Sequence, residues 1–590
     1  MTFWKTFFAS LLATIASGLL LMVIFFMILG AMVSGIDGLF EAPNKILKSN
    51  AVLHMKLNSK VGDVSYAYMD PMSFQPIEQM GLVDILSAIK AAKTDNRIKG
   101  IYLNVTASNV GMALLKEIRI ALEDFKSSGK FLIAYQENYD NKSYYLSSVA
   151  QEIYQYPTGM FGVTGLGAEI PFIKGTLDLL GVEMQIIRGT NNKFKSAVEP
   201  LMYTQMSEAN RLQTQKYLNA LWNEITQSIE MSRNISQVEI NRIVDSVLTR
   251  TPQDAADFKF IDAVKYYDEV ANIMREKLSI STSEDLNLFP FRDYVKKKRA
   301  HDAKSNIAVV SLEGEIVDGN GVTGQIGGNS SAELIRKIRQ DSTVKAVVLR
   351  VNSGGGSALA SDLIWREVEL TKAVKPVVVS MGNVAASGGY YVACGANRIF
   401  AQENTITGSI GVFGVIPYTG DVMKEKLGVT FDHVQTNAHS VLSLNKRLTA
   451  GELKIIQHGV DDIYLDFITK VGLGRNMTTA QVDSIGQGRV WAGTDAINIG
   501  LIDEFGGLND AIQYAASLIG VDSTSDIETR IETTNKTDKF MQLIQNMNDG
   551  GVQMPTSTLQ TRLQEIYHFL SQLEQAKGVQ ARMPYLLWID

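Results

Sequence analysis

The sequence predicts an α/β protein built from two tandem copies of one domain, preceded by a single N-terminal transmembrane helix. Three observations predict this architecture. Short β-branched apolar runs alternate with amphipathic helices, identical residues recur at one long spacing, and the first 36 residues carry one charged side chain, Lys5. The 590 residues are 45% hydrophobic and 20% charged, which suffices for two large domains with their own cores.

The N-terminal stretch from Thr6 to Ile36 has no charged residue. It is longer than the ~20 apolar residues that span a bilayer, and than the ~7–15 of a secretory signal. Lys5 precedes this stretch, whereas Asp37 and Glu41 follow it, so the positive-inside bias leaves a short tail in the cytoplasm. We therefore expect a single-pass protein of the bacterial inner membrane with the bulk of its chain in the periplasm. A cleaved signal peptide is the alternative.

Beyond the anchor, strands and helices alternate in the same order in both halves of the chain. The predicted strands are 52–57, 101–105 and 131–135 in the first half and 307–312, 346–351 and 376–380 in the second, with helices at 332–339 and 358–373. Continuous apolar runs of this length are typical of strands buried on both faces. Their alternation with helices predicts parallel sheets covered by helices.

An internal duplication is predicted by residues that recur, identical, 246 positions later. These are Asp95, Lys99, Leu103, Val105, Tyr144, Tyr145 and Ile153, which return as Asp341, Lys345, Leu349, Val351, Tyr390, Tyr391 and Ile399. Small insertions in loops explain why the spacing later shortens to 241. The predicted segments are a tail and anchor at 1–36, an N-terminal domain at 50–270, a linker at 271–303, a C-terminal domain at 304–525 and a tail at 526–590.

Two segments of the second half carry the strongest chemical signal. The strand ending at Val351 runs into Asn352-Ser-Gly-Gly-Gly356, where glycines allow a backbone N–H to approach a ligand closely. One βα unit later, Ser387 is followed by two glycines at the expected start of a helix. A hydroxyl beside such backbone donors suits a nucleophile with an oxyanion hole. A tight turn is the alternative for the glycines alone.

The first half holds a candidate for the missing base, although Lys193 and Lys195, each taken alone, would be read as solvated surface groups. A serine hydroxyl needs a neighbouring base, and burial can lower the pKa of a lysine from ~10.4 so that its amine accepts a proton. Lys195, which has apolar neighbours, suits this role better than Lys193; His439 is the best of six histidines. The repeat places Asn141 where the second half has Ser387, so each half lacks what the other supplies. A working site would need both halves.

Four segments together resemble the long (67K) form of the signal peptide peptidase A family, also called protease IV. They are 195–200, 350–356, 385–390 and 407–412, and the resemblance extends from the anchor to about residue 520. At Gly354 the family usually has proline. The resemblance implies a membrane-bound serine endopeptidase with a Ser/Lys dyad, which degrades cleaved signal peptides. It also implies two tandem caseinolytic-protease/crotonase-like domains and a homotetramer.

The resemblance also implies a role for individual residues. Ser387 is the expected nucleophile and Lys195 the general base. Ser409 is expected to orient the lysine, and the amides of Gly355 and Gly388 to form the oxyanion hole. No cofactor and no metal are expected, because a hydroxyl and an amine complete acyl transfer without them.

Composition and charge restrict the partners. The net charge of −6 gives no reason to expect a nucleic acid. The single cysteine, Cys394, excludes an intrachain disulfide and a cysteine-rich zinc site. We expect signal peptides and other short apolar peptides as substrates, with a medium apolar side chain before the cut. Three alternatives remain: a processing protease for membrane or secreted proteins, a crotonase-like acyl-CoA enzyme, and an inactive scaffold.

Overall fold

The computed structural model describes most of the chain. It covers residues 47–58, 60–69, 76–105, 110–298, 306–521, 529–534 and 578–582. Nearly all of them belong to one compact unit, comprising Lys48–Tyr66, Glu78–Lys536 and Ile566–Asp590; Leu47 and the described parts of Ala67–Ile77 belong to a second. The predicted anchor at 6–36 lies outside the described residues. Within those ranges no helix has both the length and the apolar character required to span a bilayer.

The elements of the first half are as follows. Its strands are β1 (Ala51–Met55), β2 (Lys60–Gly62), β3 (Tyr66–Met69), β4 (Pro76–Gly81), β5 (Ile98–Leu103), β6 (Phe131–Gln136), β7 (Tyr139–Asp140), β8 (Glu152–Gln155), β9 (Phe161–Gly162), β10 (Glu183–Arg188), β11 (Ala263–Val264) and β12 (Leu288–Pro290). Its helices are α1 (Leu82–Thr94), α2 (Met112–Lys126), α3 (Asn141–Ser147), α4 (Lys174–Leu180), a 3-10 turn (Ser196–Val198), α5 (Glu199–Met202), α6 (Glu208–Arg233), α7 (Gln237–Asp245), α8 (Pro252–Asp257), α9 (Tyr267–Leu278) and α10 (Phe291–Lys298).

The second half repeats this alternation. Its strands, with those of the C-terminal stretch, are β13 (Ile307–Glu313), β14 (Glu315–Val317), β15 (Gln325–Gly327), β16 (Ala346–Ser353), β17 (Gly355–Ser357), β18 (Val377–Ala386), β19 (Arg398–Ala401), β20 (Ile406–Gly408), β21 (Phe413–Tyr418), β22 (Val490–Ala492), β23 (Glu504–Phe505), β24 (Thr529–Thr533) and β25 (Gly578–Arg582). Its helices are α11 (Gly328–Gln340), α12 (Ala358–Lys372), α13 (Gly388–Ala393), α14 (Gly420–Leu427), α15 (Ala450–Arg475), α16 (Thr479–Ile485), α17 (Gly493–Ala496) and α18 (Leu508–Leu518).

Each half has its own largely parallel sheet, so the predicted α/β class is confirmed. The first sheet has the strand order β11-β8-β6-β5-β1-β12. The second has the order β22-β20-β18-β16-β13-β24, with β19 beside β18. Every residue of β13 is buried, and Val310 pairs with Leu349 of β16 in parallel register. Burial on both faces explains why these strands are continuous apolar runs.

The stretch predicted as a linker, 271–303, contains regular structure as far as Lys298. There, α9 ends at Leu278, β12 pairs in parallel with β1 at the edge of the first sheet, and α10 follows. Phe289, Phe291, Tyr294 and Val295 are buried, so this segment belongs to the fold of the first half. The spacing of Phe291, Tyr294 and Val295 is helical, but the run is short and lies among charged residues, which dominate the sequence pattern.

Equivalent contacts in the two halves agree with the predicted duplication. The backbone N–H of Ile153 donates to Asp262 Oδ2 at 2.7 Å, and that of Ile399 donates to Asp503 Oδ2 at 2.8 Å. The repeat makes both pairs equivalent, because Ile153 and Ile399 are 246 positions apart and Asp262 and Asp503 are 241 positions apart. The helices α6 and α15, one in each half, both have 26 residues. Each ends at an asparagine with a left-handed backbone, Asn234 in α6 and Asn476 in α15. One ancestral unit would account for both sets of contacts.

A third sheet combines strands of both halves. Its order is β10-β21-β25-β17-β14-β15, and β10 pairs antiparallel with β21, with Arg188 opposite Phe413. The sheet includes β25, from the stretch predicted as a C-terminal tail. The candidate site residues Lys195, Gly355 and Ser409 lie at or next to β10, β17 and β21.

A buried ion cluster also joins the halves. The guanidinium of Arg350, on β16, donates to Asp63 Oδ1 and to Glu117 Oε1, both at 2.7 Å. Arg350 further donates to Ser380 Oγ at 2.8 Å. All of these side chains are buried. Removing the guanidinium would leave two buried carboxylates without their partner charge, which costs folding free energy.

Candidate active site

Ser387 lies at a sharp turn between β18 and α13. Its backbone has φ 56° and ψ −116°, a conformation that is strained for every residue type except glycine. Two backbone hydrogen bonds hold the turn: Ser387 N–H donates to Gly408 O at 2.8 Å, and Tyr391 N–H donates to Ser387 O at 2.8 Å. The strain is therefore maintained by neighbouring structure, and it presents the hydroxyl at the start of a helix.

Lys195 reaches Ser387 from the other half of the chain. It follows β10 and immediately precedes the 3-10 turn. Its Nζ lies 2.8 Å from Ser387 Oγ, 3.0 Å from Ser409 Oγ and 3.1 Å from the Ser409 carbonyl oxygen. Lys195, Ser387 and Ser409 are all 0% exposed. The structure thus brings together the predicted nucleophile, base and orienting serine.

Burial disfavours the charged form of the Lys195 side chain. Desolvation lowers the pKa of Lys195 well below its ordinary value, because the ammonium form loses its hydration. A neutral amine has two N–H donors and one lone pair, which match its three neighbours. The two N–H groups can donate to Ser409 Oγ and Ser409 O, while the lone pair accepts from the Ser387 hydroxyl. This arrangement suits proton transfer from serine to lysine.

Ser409 is itself held in place. Its backbone is left-handed, with φ 50°, and its N–H donates to Arg489 O at 2.7 Å. Its hydroxyl lies 3.4 Å from Gly488 O, so it can donate there while it accepts from Lys195. A hydroxyl is both donor and acceptor, so it can orient the amine without adding a charge that would raise the pKa of Lys195.

Gln213 is a supporting residue that sequence reasoning missed. From α6, its Nε2 donates to Phe194 O at 3.1 Å and to Ser196 Oγ at 2.7 Å. Its Oε1 accepts from Val490 N–H at 3.2 Å. These bonds clamp the residues on both sides of Lys195 against the second half. One glutamine in a 26-residue helix gives no signal that could have revealed this role.

Gly488 packs directly against the lysine. A Cβ at this position would lie 2.5 Å from Lys195 Cβ and 2.7 Å from Lys195 N, and its φ of +76° also favours glycine. The glycine pair Gly486 and Gly488 is visible in the sequence as a turn signal. The sequence alone does not show what approaches that turn.

The two predicted oxyanion donors belong to segments that pack against each other. Gly388 is the first residue of α13, where N–H groups have no acceptor within the helix. Gly355 opens β17, has φ 99° and donates to Ser353 Oγ at 3.1 Å. A Cβ on Gly389 would lie 2.5 Å from Ser353 O, so the glycine loop packs tightly on the first turn of α13. These two roles stay predictions.

The alternative side chains lie elsewhere. His439 has a side chain 53% exposed, and its Nδ1 lies 3.9 Å from Glu452. Lys193 is exposed. Burial raises the pKa of Cys394 to about 12, with a further contribution from Glu369, so its thiol is a buried, unreactive group. Throughout the described ranges, Lys195 is the side chain that hydrogen-bonds Ser387 Oγ.

The chain is similar to known peptidases in both of its halves. The model of peptidase family S49 matches residues 124–281 and 369–522, one stretch in each half and together more than half of the chain. The chain is 37% identical to Protease 4 of Haemophilus influenzae over 457 residues, which cover 74% of this chain and 72% of that protein.

Two further relatives match with different coverage. A chloroplastic serine protease SPPA of Arabidopsis thaliana is 28% identical over 564 residues, 93% of this chain and 80% of the relative. A putative signal peptide peptidase SppA of Enterococcus faecium is 37% identical over 203 residues, 34% of this chain and 58% of the relative.

Proposed function

Since the chain belongs to peptidase family S49 and is a serine-type peptidase, we propose that Ser387 is its nucleophile and Lys195 its general base. The observation that carries this proposal is the 2.8 Å separation between Lys195 Nζ and Ser387 Oγ, with both side chains fully buried. Ser409 orients the amine through its hydroxyl and its carbonyl oxygen.

In the proposed reaction, the lysine lone pair takes the hydroxyl proton of Ser387 as Oγ attacks the scissile carbonyl carbon. The carbonyl electron pair moves to oxygen, and the amides of Gly355 and Gly388 donate to the resulting oxyanion. The N–H of Gly355 would then exchange Ser353 Oγ for the substrate oxygen. On collapse, the C–N bond breaks and the leaving amine takes the proton from the Lys195 ammonium. Water releases the acyl group by the same proton route.

We propose that the substrates are cleaved signal peptides and similar apolar peptides, which the name of the Enterococcus faecium relative supports. A stretch without charges at 6–36 supports a single-pass anchor in the bacterial inner membrane with a periplasmic bulk. The motif resemblance supports a homotetramer and two tandem caseinolytic-protease/crotonase-like domains. A processing protease would use the same dyad, whereas an acyl-CoA enzyme would need no buried serine–lysine pair.

Reporter peptides test the substrate class. We expect kcat/KM for a leucine- or alanine-terminated reporter to exceed that for a lysine-terminated one by about tenfold or more. A lysine side chain that is shielded from water in a binding site loses free energy unless an opposite charge meets it. Ser387→Ala gives the background rate for each reporter. Faster cleavage of the lysine reporter would contradict the preference for apolar peptides.

The pH dependence of kcat/KM tests the base. Because the neutral amine of Lys195 is the active form, kcat/KM should rise with pH and reach a plateau above the lysine pKa. Burial lowers this pKa, so the midpoint should fall well below the ~10.4 of a free lysine. Labelling of Ser387 by a fluorophosphonate between about pH 6 and about pH 10 should follow the same curve. A midpoint near that of free lysine, or a rate that falls as the pH rises through this range, would exclude Lys195 as the base.

A further inference from the structure

The C-terminal strand β25 lies between two strands that begin at the candidate active site. It pairs antiparallel with β17 on one side, with Gly355 opposite Arg582 and Ser357 opposite Gln580. On the other side it pairs antiparallel with β21, with Phe413 opposite Gln580 and Gly414 opposite Val579. This five-residue segment therefore connects β10-β21 with β17-β14-β15 into one sheet.

If β25 were absent, a gap one strand wide would separate the facing edges of β17 and β21. Neighbouring strands lie ≈4.8 Å apart, so the axes of β17 and β21 are roughly 10 Å apart. Each edge presents backbone N–H and C=O groups, which is the geometry that accepts an extended peptide by strand addition. A Cβ on Gly356 would lie 1.9 Å from Ile316 O, so the backbone of β17 packs closely against that of β14.

Both edges start at residues of the site. Gly355, a proposed oxyanion donor, is the first residue of β17. Phe413, the first residue of β21, follows Ser409 by four positions. The register places Arg582 opposite Gly355, so the end of β25 lies beside the proposed oxyanion hole. A peptide bound in this groove would extend from the site along both strands.

We propose that Gly578–Arg582 is an intramolecular ligand of the substrate groove and competes there with incoming peptides. The inference rests on the proposed peptidase function and adds an occupant of its groove, the chain's own C-terminal segment. Recognition is through the main chain, because β25 has a paired strand on each side. The same two ladders would hold an extended substrate, so segment and substrate exclude each other.

A proline at the centre of β25 tests the competition in the full-length protein. In Gln580→Pro the segment loses a backbone donor and the freedom to sit in a central strand, whereas Gln580→Ala keeps the backbone intact. We expect Gln580→Pro to lower the KM of a leucine reporter by about threefold or more at unchanged kcat, since a tethered ligand acts at millimolar effective concentration. Gln580→Ala should behave like the wild type.

A peptide added in trans gives a second measurement. Gly-Val-Gln-Ala-Arg, the sequence of β25, should inhibit the Gln580→Pro protein competitively, and its scrambled form should do so less. Equal KM values for the two Gln580 variants, or inhibition that does not compete with substrate, would overturn the proposal. Wild-type hydrolysis and fluorophosphonate labelling of Ser387 would remain in that case. Loss of both would instead refute the peptidase assignment of the site.

Discussion

Replacing either Ser387 by alanine or Lys195 by methionine should lower kcat for an apolar reporter by at least about 10⁴-fold. Ser387→Ala removes the nucleophilic oxygen. Lys195→Met removes the lone pair that lies 2.8 Å from that oxygen, and it keeps an uncharged side chain of similar length in a fully buried position. The double variant should be no slower than the slower single variant, because the two side chains act as one unit.

A neighbouring lysine provides the matched control. Lys193 is exposed and lies two positions before Lys195, so Lys193→Met should keep wild-type kcat and KM. Thermal unfolding of each variant separates a loss of chemistry from a loss of fold. Wild-type activity in Ser387→Ala would refute the serine-peptidase assignment of this site. If Lys195→Met alone retained its rate, the base would be another group.

Replacing Arg350 by methionine should destabilise the protein by about 3–5 kcal/mol, the usual cost of breaking a buried ion pair. The substitution leaves Asp63 and Glu117 without the guanidinium that contacts each at 2.7 Å. Burial already raises the pKa of Glu117, and the charge of Arg350 opposes this rise. We expect a fall in the free energy of unfolding, measured by denaturant titration at constant pH.

The pH dependence of this variant follows from the direction of the Glu117 pKa shift. Without Arg350, the folded-state pKa of Glu117 should rise further above its unfolded value, so the native state binds more protons than the unfolded state. The stability of Arg350→Met should therefore fall as pH rises from about 4 towards neutrality, more steeply than that of the wild type. Arg242→Met removes an exposed ion pair with Glu239 and should leave the melting temperature unchanged. A similar loss in both variants would contradict a special role for the buried cluster.

The fold class could be predicted because its signals are local. The predicted strands 307–312, 346–351 and 376–380 are observed as β13, β16 and β18, since apolar runs of strand length have one stable location, inside a sheet. The segment 271–303 shows the opposite case. Its elements β12 and α10 depend on a few buried side chains, and these side chains are buried only because the first sheet lies beside them.

The candidate site could be predicted in its parts but not in its arrangement. Ser387 and Lys195 were found by residue type, by local context and by what each half of the repeat lacks. They are 192 positions apart in the chain, and no spacing rule relates them. The roles of Gln213 and Gly488 were missed because their partners come from distant segments.

The sequence by itself determined the alternation of strands and helices, the duplication, and the presence of a hydroxyl, an amine and a glycine loop in separate segments. The tertiary structure alone decided that amine and hydroxyl lie within hydrogen-bonding distance and that Lys195 is fully buried. It also decided that β25 lies between β17 and β21. The physical reason is common to all three. A pKa, a proton transfer and a strand pairing depend on which groups surround a residue, and those neighbours come from remote parts of the chain.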